Sequence, residues 1–281
     1  MPRVPPDRPS FSLVILAAQR KNQINELASA AGVSHKCLVP IARRPLIQHV
    51  VDAIGGMPGL KLIRICVEQE AFEPVTAVLS RHRGCAIDFV PAADNLADSV
   101  HASIEGLDGT IVITTADHAL LLPASIKSML DLLAGGADAA VAFARQDAVL
   151  AAHPDGQRRF YQFADSGYSN CNLYGLSGQR GRAAVEIFRG GSQFAKHPLR
   201  IAMVFGLFNL LLVRFALVSL ARALARISRR IGVRIEPVVL ADGSQAIDVD
   251  NERTYRVVEQ LLAQREERVS AARSELAASL S

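Results

Sequence analysis

The chain has 281 residues, half of them hydrophobic, with Lys+Arg 31 against Asp+Glu 27 and a formal net charge of +4. So large an apolar fraction excludes a disordered chain, and the length suits one large α/β domain or two small ones. The slight positive excess is compatible with phosphorylated substrates, whereas no run of interleaved Lys, Arg and aromatic residues argues for a nucleic-acid partner.

The opening MPRVPPDRPS is polar and Pro-rich and leads into a short apolar run, Phe11 to Ala18. A secretory signal needs a longer apolar region and a small-residue cleavage site, so a cytoplasmic location is expected. Strands are predicted at Ser12–Ala18, Leu62–Val67, Ile87–Val90, Thr110–Thr115, Ala139–Ala144, Asn172–Leu176 and Arg234–Leu240. Helices are predicted at Pro45–Ile54, Glu73–Arg81, Leu96–Leu107 and Pro123–Leu133, and a charged helix from about Glu252 onward, capped by Asn251. Apolar strands separated by helices predict a Rossmann-like, three-layer α/β/α fold with a mostly parallel sheet. One domain over residues 1–281 is expected, with a helical insert at 196–233. Ligands of such sheets sit beyond the carboxyl ends of the strands, near a topological switch point. Cys37, Cys66, Cys85 and Cys171 form no CxxC pair and read as reduced structural thiols rather than as a zinc site or disulfides.

The segments after the strands carry the chemistry. Arg20 and Lys21 follow the first strand, and Lys36 lies in a loop before Pro40. Cations and backbone N–H groups placed there would cradle a triphosphate, although ordinary solvated loop charges have the same spacing. In TIVITTADHALLLP a strand runs out at Asp117. A carboxylate at a strand end suits Mg²⁺, which takes one or two carboxylates plus phosphate oxygens and waters; it also suits a turn cap. In QAIDVDNERTYRVVEQLL, Asp248 and Asp250 point the same way if the strand continues, because side chains alternate with a period of two. Asp250 and Asn251 equally suit the cap of the last helix. Asn95 and Ser99 in PAADNLADSVHASIEGL, and Asn170 and Asn172 in Ser169–Asn172, are further polar candidates. Each of these also reads as a cap or a polar turn.

Taken in order, these segments resemble the sugar-nucleotide and molybdenum-cofactor-type nucleotidyltransferases, from roughly Ser12 to Leu262. That family opens on LAAG-x-G-x-R-x-G, a spacer, then K-x-L-x-P-x-x-G-x-P-L-I-x-H. The matching residues are Leu16, Ala17, Ala18, Lys36, Leu38, Pro40, Pro45, Leu46, Ile47 and His49. Gln19 stands where the family has its first loop glycine, the next glycines are missing, and Arg43 replaces the glycine before Pro-Leu-Ile.

The resemblance implies a fold of the nucleotide-diphospho-sugar transferase type. It implies a nucleotide loop of Leu16, Ala17, Ala18, Gln19 and Arg20, with Lys36 and Arg20 stabilising charge at the α-phosphate. Asn95 and Ser99 would meet base or ribose, and Asp117 would hold Mg²⁺ together with Asp248 or Asp250. Asn170, Asn172 and Lys196 would meet the acceptor, with Arg43, Arg44 and Arg145 as further cations. The implied reaction is attack by an acceptor phosphate on the α-phosphorus of an NTP, CTP first and GTP second, expelling pyrophosphate. The acceptor is a phosphorylated small molecule or a lipid head-group precursor. Two other readings are a glycosyltransferase of the GT-A type and a non-catalytic nucleotide-binding regulatory protein. The first would place D-x-D at a central strand end, where only Asp117 stands; the second fits the glycine-poor loop. No GxGxxG follows the first strand, which argues against a Rossmann dehydrogenase.

The least family-like part is KHPLRIAMVFGLFNLLLVRFALVSLARALARISRRIGVRI. A membrane-spanning helix needs about 20 apolar residues, and Arg214 interrupts this run. Gly206 and Asn209 suggest a break, after which Arg222, Arg226, Arg229 and Arg230 lie opposite Leu220, Leu224, Ile227 and Ile231. Residues 198–231 are expected to bury themselves in a homodimer, lie on a membrane surface, or pack into their own monomer.

Overall fold

The computed structural model describes residues 10–19, 25–187 and 206–279. Its strands are β1 (Phe11–Leu16), β2 (Pro40–Ile41), β3 (Arg44–Pro45), β4 (Leu60–Val67), β5 (Ala86–Pro91), β6 (Thr110–Thr115), β7 (Ala139–Arg145), β8 (Tyr161–Gln162), β9 (Gly167–Leu176) and β10 (Ile235–Leu240). The α-helices are α1 (Glu26–Ala30), α2 (Leu46–Ile54), α3 (Phe72–Leu79), α4 (Leu96–Ile104), α5 (Pro123–Ala134), α6 (Gln146–Ala152), α7 (Gly178–Ile187), α8 (Leu207–Arg214), α9 (Leu220–Ile231) and α10 (Glu252–Ser279).

The main sheet has the order β10-β7-β9-β6-β1-β4-β5, with β8 pairing β9, and β2 and β3 form a separate hairpin. β1 runs parallel to β4 and β6, β4 to β5, and β7 to β10. β9 is the antiparallel member, wedged between β6 and β7. The pleat explains the two apolar layers. Leu13 and Ile15 of β1 face one core, which α2, α5 and α10 close. Val14 faces the other, with Ile104 of α4, Val185 of α7 and Ile227 of α9. The chain moves outward from β1 through β4 and β5, then returns to the opposite side of β1 as β6. The crevice beyond the carboxyl ends of β1 and β6 is therefore the switch point.

Two expectations take their final shape here. Leu220 and Ala223 of α9 are buried, and Leu224, Ile227 and Ile231 pack against the second layer. The amphipathic half of the 196–233 segment thus covers its own sheet; residues 196–205 lie outside the described ones. Asn251 caps α10 as expected, its Oδ1 accepting the Thr254 N–H at 3.2 Å. Among the described residues no helix is long and apolar enough to cross a membrane.

Candidate active site

The ends of β1, β4 and β6 are stitched together by backbone bonds. Ala17 N–H donates to Cys66 C=O at 2.8 Å, and Ala116 N–H to Leu16 C=O at 2.9 Å. Gln19 comes next, where a glycine would leave the backbone bare. Its N–H donates to Glu68 Oε1 at 2.7 Å, its Nε2 to Ser34 C=O at 3.2 Å, and its Oε1 accepts the Lys36 N–H at 3.2 Å. The glutamine therefore ties the start of the loop to its end, fixing where Lys36 emerges. Arg20 and Lys21 fall outside the described residues. On the far side of the lysine, the Tyr255 hydroxyl of α10 donates to Pro40 C=O at 2.8 Å.

The two residues joining β2 to β3, Ala42 and Arg43, both have positive φ, 44° and 63°. Such a two-residue connection suits a primed hairpin turn, which explains why the family pattern has glycine at the second position. His49 is buried and shares a 2.9 Å hydrogen bond with Ile41 C=O through Nε2. Burial lowers its pKa, so it is a neutral donor bracing the hairpin. His118, which follows Asp117, is fully buried and pushed down to about 4 by burial. It is a neutral core residue at neutral pH.

Four charged groups from three distant segments meet at the crevice. Lys36 Nζ bonds Asp117 Oδ2 and lies 3.0 Å from Asp250 Oδ1. Asp248 is buried, and its Oδ2 accepts from Asn172 Nδ2 at 2.5 Å. Burial, then the charges of Asp117 and Asp250, push the Asp248 carboxyl well above the ordinary carboxylate range. Lys36 and Asn172 oppose that shift. Burial lowers the pKa of Lys36, and the two carboxylates beside it more than restore it, so the ammonium is retained. Of these groups Lys36 and Asp250 line a cavity of about 1050 Å³, bounded also by Ala18, Gln19, Asn25 and Tyr255, while Asp117 reaches its edge only through Lys36.

The expectation that Asp248 and Asp250 share the face of a continuing strand is not met. β10 ends at Leu240, and a 3₁₀ turn at Gly243–Ala246 intervenes. The backbone bonds of 249 and 250 are spent elsewhere. Val249 N–H donates to Asp117 C=O at 3.3 Å, and Asp250 N–H to Thr254 Oγ1 at 2.9 Å. Asp248 is turned inward while the Asp250 side chain is two-thirds exposed. Asn170 and Asn172, read as a turn or the start of a strand, lie within β9. Three β9 residues face the single Ala142 between the Val141–Tyr174 and Phe143–Asn170 pairs. In that bulge Asn172 takes φ 46°, a conformation asparagine tolerates, and its side chain is aimed at Asp248. Asn170 instead bonds the Asn172 N–H at 2.6 Å and the Tyr174 hydroxyl at 3.0 Å.

Asn95 and Ser99 bond local partners rather than this cluster. Asn95 caps α4, its Oδ1 accepting the Asp98 N–H at 3.0 Å. Ser99 is buried, with its Oγ accepting the Ala93 N–H at 2.9 Å. Lys196 is outside the described residues. Two residues without a signal in the spacing hold the site together. Gln245 is fully buried; its Oε1 accepts from Leu122 N–H and Ser125 Oγ, and its Nε2 donates to Leu120 C=O. Arg265 of α10 donates to the same Leu120 C=O at 2.8 Å and to Ser244 Oγ at 2.8 Å. Both clamp the segment leading to Asp248 onto the loop that follows Asp117.

A lysine at the mouth of a strand-end crevice, flanked by carboxylates from a central and a late segment, is the arrangement implied by the motif order. The sequence profile of the MobA-like NTP transferase domain matches residues 13–234. The chain belongs to that family. It is thus built as a nucleotidyltransferase on a nucleotide-diphospho-sugar transferase-like fold. No curated protein matches it in sequence. Among solved structures, a hypothetical transferase from Thermus thermophilus is 24% identical with a TM-score of 0.71, covering 88% of this chain and 99% of that one. The 4-diphosphocytidyl-2C-methyl-D-erythritol synthase of Anaerococcus prevotii is 8% identical with a TM-score of 0.58, covering 91% and 96%. A CMP:2-keto-3-deoxy-manno-octonic acid synthetase complexed with CTP is 15% identical with a TM-score of 0.56, covering 91% and 99%. These three share its fold.

The carboxylates can be tested for their fit to a divalent cation. Asp117 Oδ1 and Asp248 Oδ1 are both buried without a hydrogen-bond partner among the described residues. Three carboxylates around one ammonium leave two negative charges unbalanced when all are ionised. Among the described residues no three His, Cys, Asp or Glu side chains form a group that would hold a metal ion by themselves. Mg²⁺ takes one or two carboxylates and fills the rest of its octahedron with phosphate oxygens and waters, so the two unpartnered oxygens of Asp117 and Asp248 are the donors it would use. The donor set fits.

Proposed function

We propose that this protein transfers a nucleoside monophosphate from an NTP, CTP in the first place and GTP in the second, to the phosphate of a small molecule or lipid head-group precursor. The observation that carries the reading is the meeting of Lys36, Asp117 and Asp248 at the switch-point crevice, with two buried carboxylate oxygens left unpartnered. Asp117 and Asp248 are the residues that would hold Mg²⁺, with Asp250 at its edge. Bound there, the cation would neutralise charge on the α-phosphate and orient it towards the acceptor.

The chain's own residues then act by position. An acceptor phosphate is already ionised near neutral pH, so its oxygen attacks the α-phosphorus without a general base. The bond between the α-phosphorus and the bridging oxygen breaks, and pyrophosphate leaves with its electron pair. Lys36 leaves its carboxylate partners for the α-phosphate, where its ammonium offsets the charge that builds in the transition state. Gln19 sets the origin of that lysine through the Lys36 N–H. Asn172, assigned by resemblance to the acceptor, instead orients Asp248 by donating to one carboxylate oxygen and leaving the other free.

A matrix of four NTPs against phosphorylated polyols, amino alcohols and sugars, read by pyrophosphate release with and without Mg²⁺, tests this reading. Release that depends on one NTP, one acceptor class and the metal is expected. Nucleotide binding without release in any pairing would turn the assignment to a regulatory nucleotide-binding protein.

A further inference from the structure

Between Gly206 and Ile235 the chain has six arginines and no Asp or Glu, in a molecule whose net charge is only +4. α9 turns its apolar side to the sheet, which leaves Arg222, Arg229 and Arg230 exposed on its outer side. The turn leading into this helix is the opposite in character. Leu211 is 46% exposed, and Phe215 and Leu217 are each 64% exposed. The backbone of residues 215–217 is tied. Phe215, Ala216 and Leu217 donate their N–H groups to Leu211, Val213 and Leu212 carbonyls at 2.8–3.0 Å, and Ala216 sits at φ 51°. Val218 C=O accepts the Ala164 N–H at 2.9 Å, and Leu220 N–H donates to Asp165 Oδ1 at 3.1 Å, so the turn is fastened to the β8–β9 hairpin. On β8, three residues before that junction, Tyr161 is also 64% exposed.

We propose that this face is a docking surface for an anionic lipid bilayer. A fixed apolar tip would enter the headgroup boundary, and the arginines beside it would meet the phosphates. Burial of apolar side chains and attraction of Arg to anionic lipid are the two contributions that hold peripheral proteins on a membrane, and neither suffices alone. Charge decides among the occupants. A second copy of the chain in an isologous contact would bring arginines against arginines, whereas an anionic bilayer answers both the charge and the apolar tip. A nucleic acid answers only the charge. None of these described residues bonds Lys36, Asp117, Asp248 or Asp250, so the proposal does not depend on which nucleotide is transferred.

The chain contains no tryptophan, which makes Phe215→Trp a single fluorescent reporter. With the full-length protein, co-sedimentation with vesicles of equal parts phosphatidylcholine and phosphatidylglycerol is expected, with a blue shift of the F215W emission. Pure phosphatidylcholine should bind about tenfold less or weaker, and high salt should release the protein, because screening removes the Arg contribution. The F215S/L217S and R222E/R229E double variants should each lose about tenfold or more in partitioning while keeping their melting temperature. Pyrophosphate release from soluble substrates by F215S/L217S should be unchanged, which separates this surface from the catalytic one. Equal binding to neutral and anionic vesicles, no binding to either, a blue shift that depends on protein concentration without vesicles, or preference for duplex DNA over vesicles would each overturn the proposal.

Discussion

Two segments of the same sheet follow strand ends, and they differ in where their polar atoms go. After β5, Asn95 and Ser99 spend their side chains on nearby backbone: Asn95 on the Asp98 N–H, Ser99 on the Ala93 N–H. After β6 and the late 3₁₀ turn, Asp117 and Asp248 each keep one buried oxygen without a partner. A buried polar atom left unsatisfied costs about 1–3 kcal/mol, and more when it is charged. The first segment therefore contributes to stability. The second carries a cost that folding alone does not explain, in keeping with the proposal that a ligand completes the structure there.

The largest effect is expected at the costly end. Asp117→Asn and Asp248→Asn should each abolish transfer while leaving the fold intact. Asp248→Asn should melt at or above the wild-type temperature, since it relieves repulsion among clustered carboxylates, whereas Asp117→Asn also gives up the ion pair with Lys36. Near-normal turnover of both at saturating Mg²⁺ would erase the contrast. Lys36→Ala should lower turnover by about two to three orders of magnitude, the range for removing one donor to developing charge. A loss confined to NTP affinity, with the maximal rate kept, would make Lys36 a binding residue only.

At the locally satisfied end the ranking reverses. Asn95→Ala should cost about 1 kcal/mol of stability, as loss of a helix cap does, and Ser99→Ala about 1–2 kcal/mol because Ala93 N–H loses its partner. Turnover at saturating substrate should stay near normal in both. Chemical denaturation alongside pyrophosphate release reads the two effects separately. A tenfold or greater fall in kcat/KM without lost stability would return these residues to the nucleotide site.

The layers of the fold were legible because continuous apolar strands such as Leu13–Ile15 and Ile111–Ile113 need cover on both faces. The antiparallel course of β9 was not, since strand direction leaves no trace in a run such as Asn172–Leu176. That Lys36 and Asp117 meet beyond the strand ends was legible from motif order. Asp248 was singled out too, but for the wrong geometric reason: a period of two requires a strand, and residues 249 and 250 are held by bonds to Asp117 and Thr254 instead. The aim of Asn172 at Asp248 depends on a bulge, which register sets and composition does not announce. Gln245 and Arg265 act on Leu120 from more than a hundred residues away, and such long-range clamps have no local spacing to betray them.

The smallest effect sharpens the comparison at a site where strain, rather than an unpaired atom, is stored. Arg43 sits at φ 63° in the β2–β3 turn, beside Ala42 at 44°, and its side chain is exposed. A residue with a Cβ in this conformation is disfavoured by about 1–2 kcal/mol, whereas glycine adopts it freely. Glycine also gains conformational freedom in the unfolded chain, which takes back about 0.4–1 kcal/mol. Arg43→Gly is therefore expected to stabilise by at most about 1 kcal/mol, a rise in melting temperature of roughly 2 °C. The neighbouring Arg44 keeps its contacts to Asp52 and Glu266, each at 3.5 Å, so the hairpin should stay docked on α2 and α10. Stability and turnover then separate the two roles open to Arg43. A higher melting temperature with unchanged kcat/KM makes the arginine a tolerated replacement for the glycine of the family pattern. A higher melting temperature with a fall in kcat/KM for the acceptor alone would show that the strain is kept to hold a cation over the acceptor phosphate.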